Sequence, residues 1–256
     1  MRTTVVLTLI FCFQFLQVSA QEYKMAADNQ SRLVLDELNE VAVEGYDGSE
    51  VIFTVTNAHH ERPERAAGLK AVSGLGLEDN TGIGLAVEKA GNDIKVAQLS
   101  RRGDASYKIS VPRNISIAYH HSSHEGEDFS VRDVSGELEI STVHNSVDLE
   151  NVTGPMTVKT VHGDIEAKFS NAIKSPVSIV SAHGDIDVSL PASIKANIEM
   201  MSDHGEMYTD MDIAFEKSAE ELRKLSSSVV KGTINGGGEV TIELSSAHGN
   251  IYLRKQ

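Results

Sequence analysis

Cysteine is almost absent from this sequence. A single residue, Cys12, stands among 256, and it cannot pair within the chain. That excludes a small secreted domain stapled by disulfides. Tryptophan is missing altogether, and seven Phe and six Tyr are the only aromatics, so platforms for gripping sugar rings are few. Basic charge is scarce too: 23 Lys and Arg face 37 Asp and Glu, for a formal net charge of −14. A nucleic-acid binder carries the opposite surplus to meet phosphates. The same charge disfavours adsorption to an anionic membrane surface. What remains is 40% hydrophobic residues, enough for a real core.

The first twenty residues read as a cleavable secretory signal. Met1-Arg2 is a minimal positive start, and Val5 to Val18 is nearly all apolar. Val18-Ser19-Ala20 puts small residues at the cleavage point. The run is shorter than the about 20 residues of a membrane span, and no later segment approaches that length. Cys12 lies inside the run between Phe11 and Phe13, away from a lipid-attachment position. The mature chain is therefore expected to start at Gln21 without a thiol or a transmembrane span. Its expected location is the periplasm, the outer-membrane surface or the extracellular space.

A repeat runs through the second half. Five segments read apolar, any, Ser/Thr, any, His: Ile140 to His144, Val158 to His162, Ile179 to His183, Met200 to His204 and Leu244 to His248. Gly163, Gly184, Gly205 and Gly249 follow four of the histidines, and Asn145 follows the fifth. Asn is the residue that best replaces Gly at positive φ, so a left-handed turn is expected there. A polar and then an apolar residue come next, as in Asp164-Ile165 and Asp185-Ile186. The histidines are spaced by 18, 21, 21 and 44 residues. Each unit holds two short alternating stretches, such as Ile165 to Phe169 and Val177 to Ile179, and period-two alternation means strands with one buried face. The expected fold class is all-β: a single-chain β-solenoid or β-helix-like stack of about 18–21-residue repeats, its coils about 4.8 Å apart.

The first half is β-rich but less regular. Val41 to Glu44 and Val51 to Val55 flank a turn at Asp47-Gly48. Further strands are expected at 84–87, 94–99, 107–111 and 115–119, with a loop or short helix over 60–82. One amphipathic helix is expected near 214–226, where Phe215, Ala219 and Leu222 share a face. The organisation expected is signal peptide 1–20, a β-rich part 21–130 continuous with the solenoid, and solenoid repeats over 131–256 with the helical insertion.

Thr160-Val-His-Gly-Asp-Ile165 and Ser181-Ala-His-Gly-Asp-Ile-Asp-Val-Ser-Leu-Pro191 resemble the motifs of a bacterial adhesin-like family of exported β-strand-repeat proteins, common in Bacteroidota. The resemblance extends to Asn151-Val-Thr-Gly-Pro155, Arg65-Ala-Ala-Gly-Leu69 and Asn80-Thr-Gly-Ile-Gly-Leu85. It implies an exported, solenoid-like β fold of unknown function and brings no catalytic residues. The repeated His is a departure, since Asn is usual at that place.

If the coils stack in register, His144, His162, His183, His204 and His248 form a structural ladder. Apolar residue, Ser/Thr and His are at i, i+2 and i+4, so the Ser/Thr row is expected inside and the His row at a corner, partly buried. Metal binding is the alternative for this row, with Asp164, Asp185 and Glu206 nearby. A second cluster, His120, His121, His124 and Glu125, offers four metal-ligating side chains within six residues. His59-His60-Glu61 is a weaker third.

Enzyme signals are missing: there is no Gly-x-Ser-x-Gly elbow, no His-Glu-x-x-His, no phosphate-cradling loop and no dinucleotide fingerprint. No catalytic residue and no cofactor is expected. The function expected is a non-enzymatic, adhesin-like scaffold or binding protein of the bacterial cell envelope. Its partner would be a protein or glycan, met by the outward positions Glu139, Asp148, Glu166, Asp187, Tyr208 and Tyr252. The alternatives are a polysaccharide-active enzyme on a β-helix and a metal-binding envelope protein using the repeated histidines.

Overall fold

Alternation of buried and exposed residues runs through almost every strand, as in Leu138 to Thr142, where Leu138, Ile140 and Thr142 are buried. A strand patterned this way must cover one face with another sheet to keep it from water. In the computed structural model two large sheets do this for each other, and the chain is all-β. The structure describes residues 21–28, 30–57, 64–74, 76–99, 105–169, 173–215 and 228–256. The expected signal segment therefore lies outside the described residues, as do His59, His60 and Glu61. So does most of the expected helix: residues 216–226 are outside, and Ala214 and Phe215 belong to a strand.

Eight strand pairs make the body. In each pair one strand lies in a first sheet and the next in a second. They are β2 (Arg32–Asp36) with β3 (Glu40–Tyr46), β6 (Asp93–Gln98) with β7 (Ser106–Pro112), and β8 (Ser116–His121) with β9 (Phe129–Arg132). Next come β10 (Leu138–Thr142) with β11 (Val147–Glu150), β12 (Met156–Thr160) with β13 (Ile165–Lys168), and β14 (Val177–Ser181) with β15 (Ile186–Leu190). The last are β16 (Ala196–Ser202) with β17 (Met207–Thr209), and β20 (Val240–Ser246) with β21 (Ile251–Lys255). The first sheet stacks β6, β2, β8, β10, β12, β14, β20 and β16 in parallel, and the second stacks their partners in the same order. Antiparallel strands extend the ends: β5 (Leu85–Ala90) beyond β6, and β4 (Glu50–Asn57) and then β1 (Glu22–Ala26) beyond β7. At the other end β19 (Ser228–Ile234) and β18 (Ile213–Phe215) extend the first sheet, while the second stops at the three-residue β17.

This order differs from the sequential one in two places. β20 and β21 insert between β14/β15 and β16/β17, so His248, not His204, follows His183. The long connection through β18 and β19 lets the chain leave the stack and return one layer earlier. At the other end β3 and β4 flank the Asp47-Gly48 turn but do not pair, because β7 lies between them, parallel to β3 and antiparallel to β4. The boundary expected at 130/131 falls inside β9, and strands from both halves share the same two sheets. Residues 64–66 form one short 3-10 turn, and Val72 and Glu78 make a lone bridge.

Register aligns the core into columns. Ile94, Leu33, Ile117, Leu138, Met156, Val177, Ile242 and Ile198 are successive partners across eight strands, all buried. Each such side chain is worth about 1.5–3 kcal/mol relative to exposure.

The repeat glycines serve another purpose than the one expected. None of Gly163, Gly184, Gly205 and Gly249 has positive φ; the positive-φ glycines lie elsewhere, as at Gly91 and Gly236. They are needed because neighbouring turns pack backbone on backbone. A Cβ at Gly184 would sit 2.1 Å from the carbonyl oxygen of Gly163, and one at Gly249 would sit 2.1 Å from that of Gly184. No side chain fits there.

Candidate functional site

The strands β10, β12, β14, β16 and β20 end on Thr142, Thr160, Ser181, Ser202 and Ser246, all buried. Their hydroxyls tie down the following turn. Gly184, Gly205 and Gly249 donate their N–H groups to Ser181, Ser202 and Ser246 at 2.8, 2.9 and 2.9 Å. Thr142 and Thr160 donate to the carbonyls of Asn145 and Gly163 at 3.0 and 2.7 Å.

Two residues on, the five histidines stack on one another in the order 144, 162, 183, 248, 204. Ring centroids are 5.0, 4.9, 4.7 and 4.8 Å apart, and adjacent planes are inclined by 18° or less. All five are exposed, not half-buried as expected. The reason is that the strand has ended at the Ser/Thr, so its parity no longer governs the His two positions later. Ring stacking is their only side-chain interaction among the described residues.

A second ladder lies past the glycines. Asp185 N–H donates to Asp164 Oδ1 at 2.8 Å, Asn250 N–H to Asp185 Oδ1 at 2.7 Å, and Glu206 N–H to Asn250 Oδ1 at 2.9 Å. Each side chain caps the backbone of the next layer.

The cluster of His120, His121, His124 and Glu125 does not converge. His120 and His121 are successive residues of β8 and point to opposite faces. His121 is buried, near Asn39 at 3.4 Å and stacked on Tyr119, while His124 and Glu125 are exposed in the following turn. Among the described residues no three His, Cys, Asp or Glu side chains group as metal ligands.

The outward acidic row is also rearranged. Glu139 lies on the first sheet, where it pairs with Arg32. The other five residues form one column on the second sheet: Asp148, Glu166, Asp187, Tyr252 and Tyr208. This face is charge-paired, not simply acidic. Arg132 meets Glu150 at 2.7 Å, Lys168 meets Glu166, and Arg254 grips Asp187 with two nitrogens at 2.8 Å. Tyr252 and Tyr208 stack at 5.3 Å, and the Arg254 guanidinium lies 5.3 Å from the Tyr252 ring centre. Arg254 was missed in the sequence, although its spacing of two from Tyr252 puts both on one side of the strand.

Asp148 has no ion-pair partner among the described residues. It borders a shallow basin of about 470 Å³ lined also by Ala42, Ser130, Glu44, Lys108 and Glu166. Partial burial, and then the charges of Glu166 and Asp128, push its carboxyl above the usual range. Folding therefore disfavours its anion, a cost present at neutral pH and relieved as the carboxyl protonates. Asp148→Asn is expected to leave the melting temperature at pH 7.5 unchanged or raised by at most about 2 °C. A clear fall would contradict this account of its environment. The other depression, about 410 Å³ on the first sheet, is equally shallow and is lined by Thr157, Ser178, Glu139 and Glu243.

A family model described as Toastrack DUF4097 matches residues 84–254, about two-thirds of the chain. This bears out the resemblance carried by the His-Gly-Asp-Ile repeats. A crystal structure of a candidate cell adhesion protein from Clostridium sporogenes ATCC 15579 is similar at 12% identity and a TM-score of 0.47, covering 93% of this chain and 100% of that one. One of a candidate lipid binding protein from Parabacteroides distasonis ATCC 8503 is similar at 10% identity and 0.35, covering 92% and 97%. No curated protein matches the chain. Among the described residues no helix is long and apolar enough to cross a membrane.

Proposed function

We propose that the chain, which belongs to the Toastrack DUF4097 family, is an exported, non-enzymatic, adhesin-like scaffold of the bacterial cell envelope. In this reading the two sheets form a β-solenoid, and the outer face of the second sheet binds a protein or glycan of the envelope. The observation that carries the reading is the stack of exposed Tyr208 on half-buried Tyr252 beside the Arg254–Asp187 pair, on the outer face of the second sheet. Tyr and Arg are the residues that most often dominate binding energy at interfaces. Solenoids present extended surfaces of this kind. The apolar run of residues 5–18 supports export, to the periplasm, the outer-membrane surface or beyond.

Retention of envelope components on immobilised mature chain tests this. The double variant Tyr208→Ala/Tyr252→Ala is expected to lose at least about tenfold in retention of a component that wild type holds. Glu243→Ala, on the other sheet, is expected to retain it. Equal retention by both variants, at unchanged melting temperature, would refute the reading.

Asp148 is the feature favouring the alternative of a polysaccharide-active enzyme, because a carboxyl with a raised pKa beside a second carboxylate suits acid catalysis. Release of reducing ends from envelope polysaccharide, abolished by Asp148→Asn, would establish that alternative.

A further inference from the structure

We propose that the histidine ladder binds divalent transition-metal ions, each held between two successive imidazoles. The five rings are exposed and have no hydrogen bond or ion pair among the described residues, so their nitrogens are uncommitted. Imidazole suits Zn²⁺, Cu²⁺ and Ni²⁺, whereas Mg²⁺ and Ca²⁺ favour oxygen ligands.

Equivalent nitrogens on parallel rings lie about as far apart as the ring centres, here 4.7–5.0 Å. Two nitrogens bonded to one zinc at about 2.0–2.1 Å are about 3.4 Å apart in a tetrahedron and about 4.1 Å apart when opposite. Adjacent rings must therefore approach by roughly 1 Å and also rotate out of their parallel stack, so that the in-plane lone pairs of both converge on one ion. They can do so because they lie past the strand ends, face solvent and anchor nothing. Asp164 and Asp185 each commit Oδ1 to the next turn, so two imidazoles and water are the ligands proposed. The net charge of −14 favours cations near the surface.

The spatial order supplies a sharp test. Adjacent pairs are 144–162, 162–183, 183–248 and 248–204. His162→Asn/His248→Asn destroys every adjacent pair while leaving three ladder histidines. His144→Asn/His204→Asn also removes two histidines but keeps the run 162–183–248. Untagged mature chain is titrated with CuCl₂ and ZnCl₂ by calorimetry at pH 7.5, with melting curves to check folding. Wild type is expected to bind both ions, copper more tightly, with no heat from MgCl₂. The first variant is expected to bind at least about tenfold more weakly, and the second to keep a site near wild-type affinity. No binding by wild type, or equal loss in two folded variants, would overturn the proposal. If the first variant does not fold, His183→Asn leaves only the pairs 144–162 and 248–204. It must then keep both sites, and loss of binding in this folded variant would overturn the proposal.

Discussion

Replacing Gly184 with alanine is expected to destabilise the fold by about 3–5 kcal/mol, placing it among the largest single-substitution effects. The new Cβ would meet Gly163 O at 2.1 Å, Gly163 C at 2.6 Å and Asp164 N at 3.0 Å. All three are backbone atoms of the neighbouring layer, so no rotamer change relieves the clash. The layers must separate at the corner, which breaks the bond from His183 N–H to Val161 O at 2.8 Å and weakens the Asp164 cap on Asp185. Gly91→Ala is the control: φ there is +65° and a Cβ would have nothing within 4 Å. That change costs only about 1 kcal/mol of backbone strain. Thermal melting should separate the two, with a drop of about 2–4 °C for Gly91→Ala and three or more times that for Gly184→Ala. Equal drops would show that conformational strain, not layer contact, requires the repeat glycines.

The second large effect is expected at Phe129. Its ring stacks on Tyr119 with centroids 3.8 Å apart, joining the two sheets, and both rings are fully buried. Phe129→Ala leaves a cavity between layers and is expected to cost about 3–5 kcal/mol. Tyr119→Phe keeps the stack but removes a hydroxyl that donates to Leu38 O at 2.7 Å and accepts from Asn145 Nδ2 at 3.2 Å. It is expected to cost about 1–3 kcal/mol, since it leaves buried groups unsatisfied. Burial, and then the charge of Glu37, raises the Tyr119 hydroxyl's pKa, so it stays protonated and able to donate. Urea denaturation of both variants checks the ranking. A Tyr119→Phe cost equal to that of Phe129→Ala would mean that hydrogen bonding, not packing, dominates this joint.

Strand identity was legible because alternation is a local signal. Val177-Ser-Ile179 shows its buried face without reference to any partner. Layer order was not legible, because β20 presents the same apolar column to β14 that β16 would have presented. Nothing in the residues themselves distinguishes these two neighbours. The same limit hid β7 between β3 and β4. The His row was visible as a spacing, but its exposure depended on where the strand ended, which the i, i+2, i+4 pattern does not encode. Glycine after histidine suggested a left-handed turn, whereas the cause was a backbone one layer away. The charge-paired outer face was hidden for a related reason. Arg254 meets Asp187 only because β21 lands on β15.

The insertion of β20 and β21 also affects how the chain matures. Synthesis delivers the amino terminus first, so β16 and β17 emerge before the layer that separates them from β14 and β15 exists. They must either wait or dock provisionally and be displaced. A chain cut short before residue 240 leaves the edges of β14 and β15 either open to proteases and other chains or covered by the wrong layer. That place is filled only once β20 and β21 have been made, so the middle of the stack is completed by the last strands described.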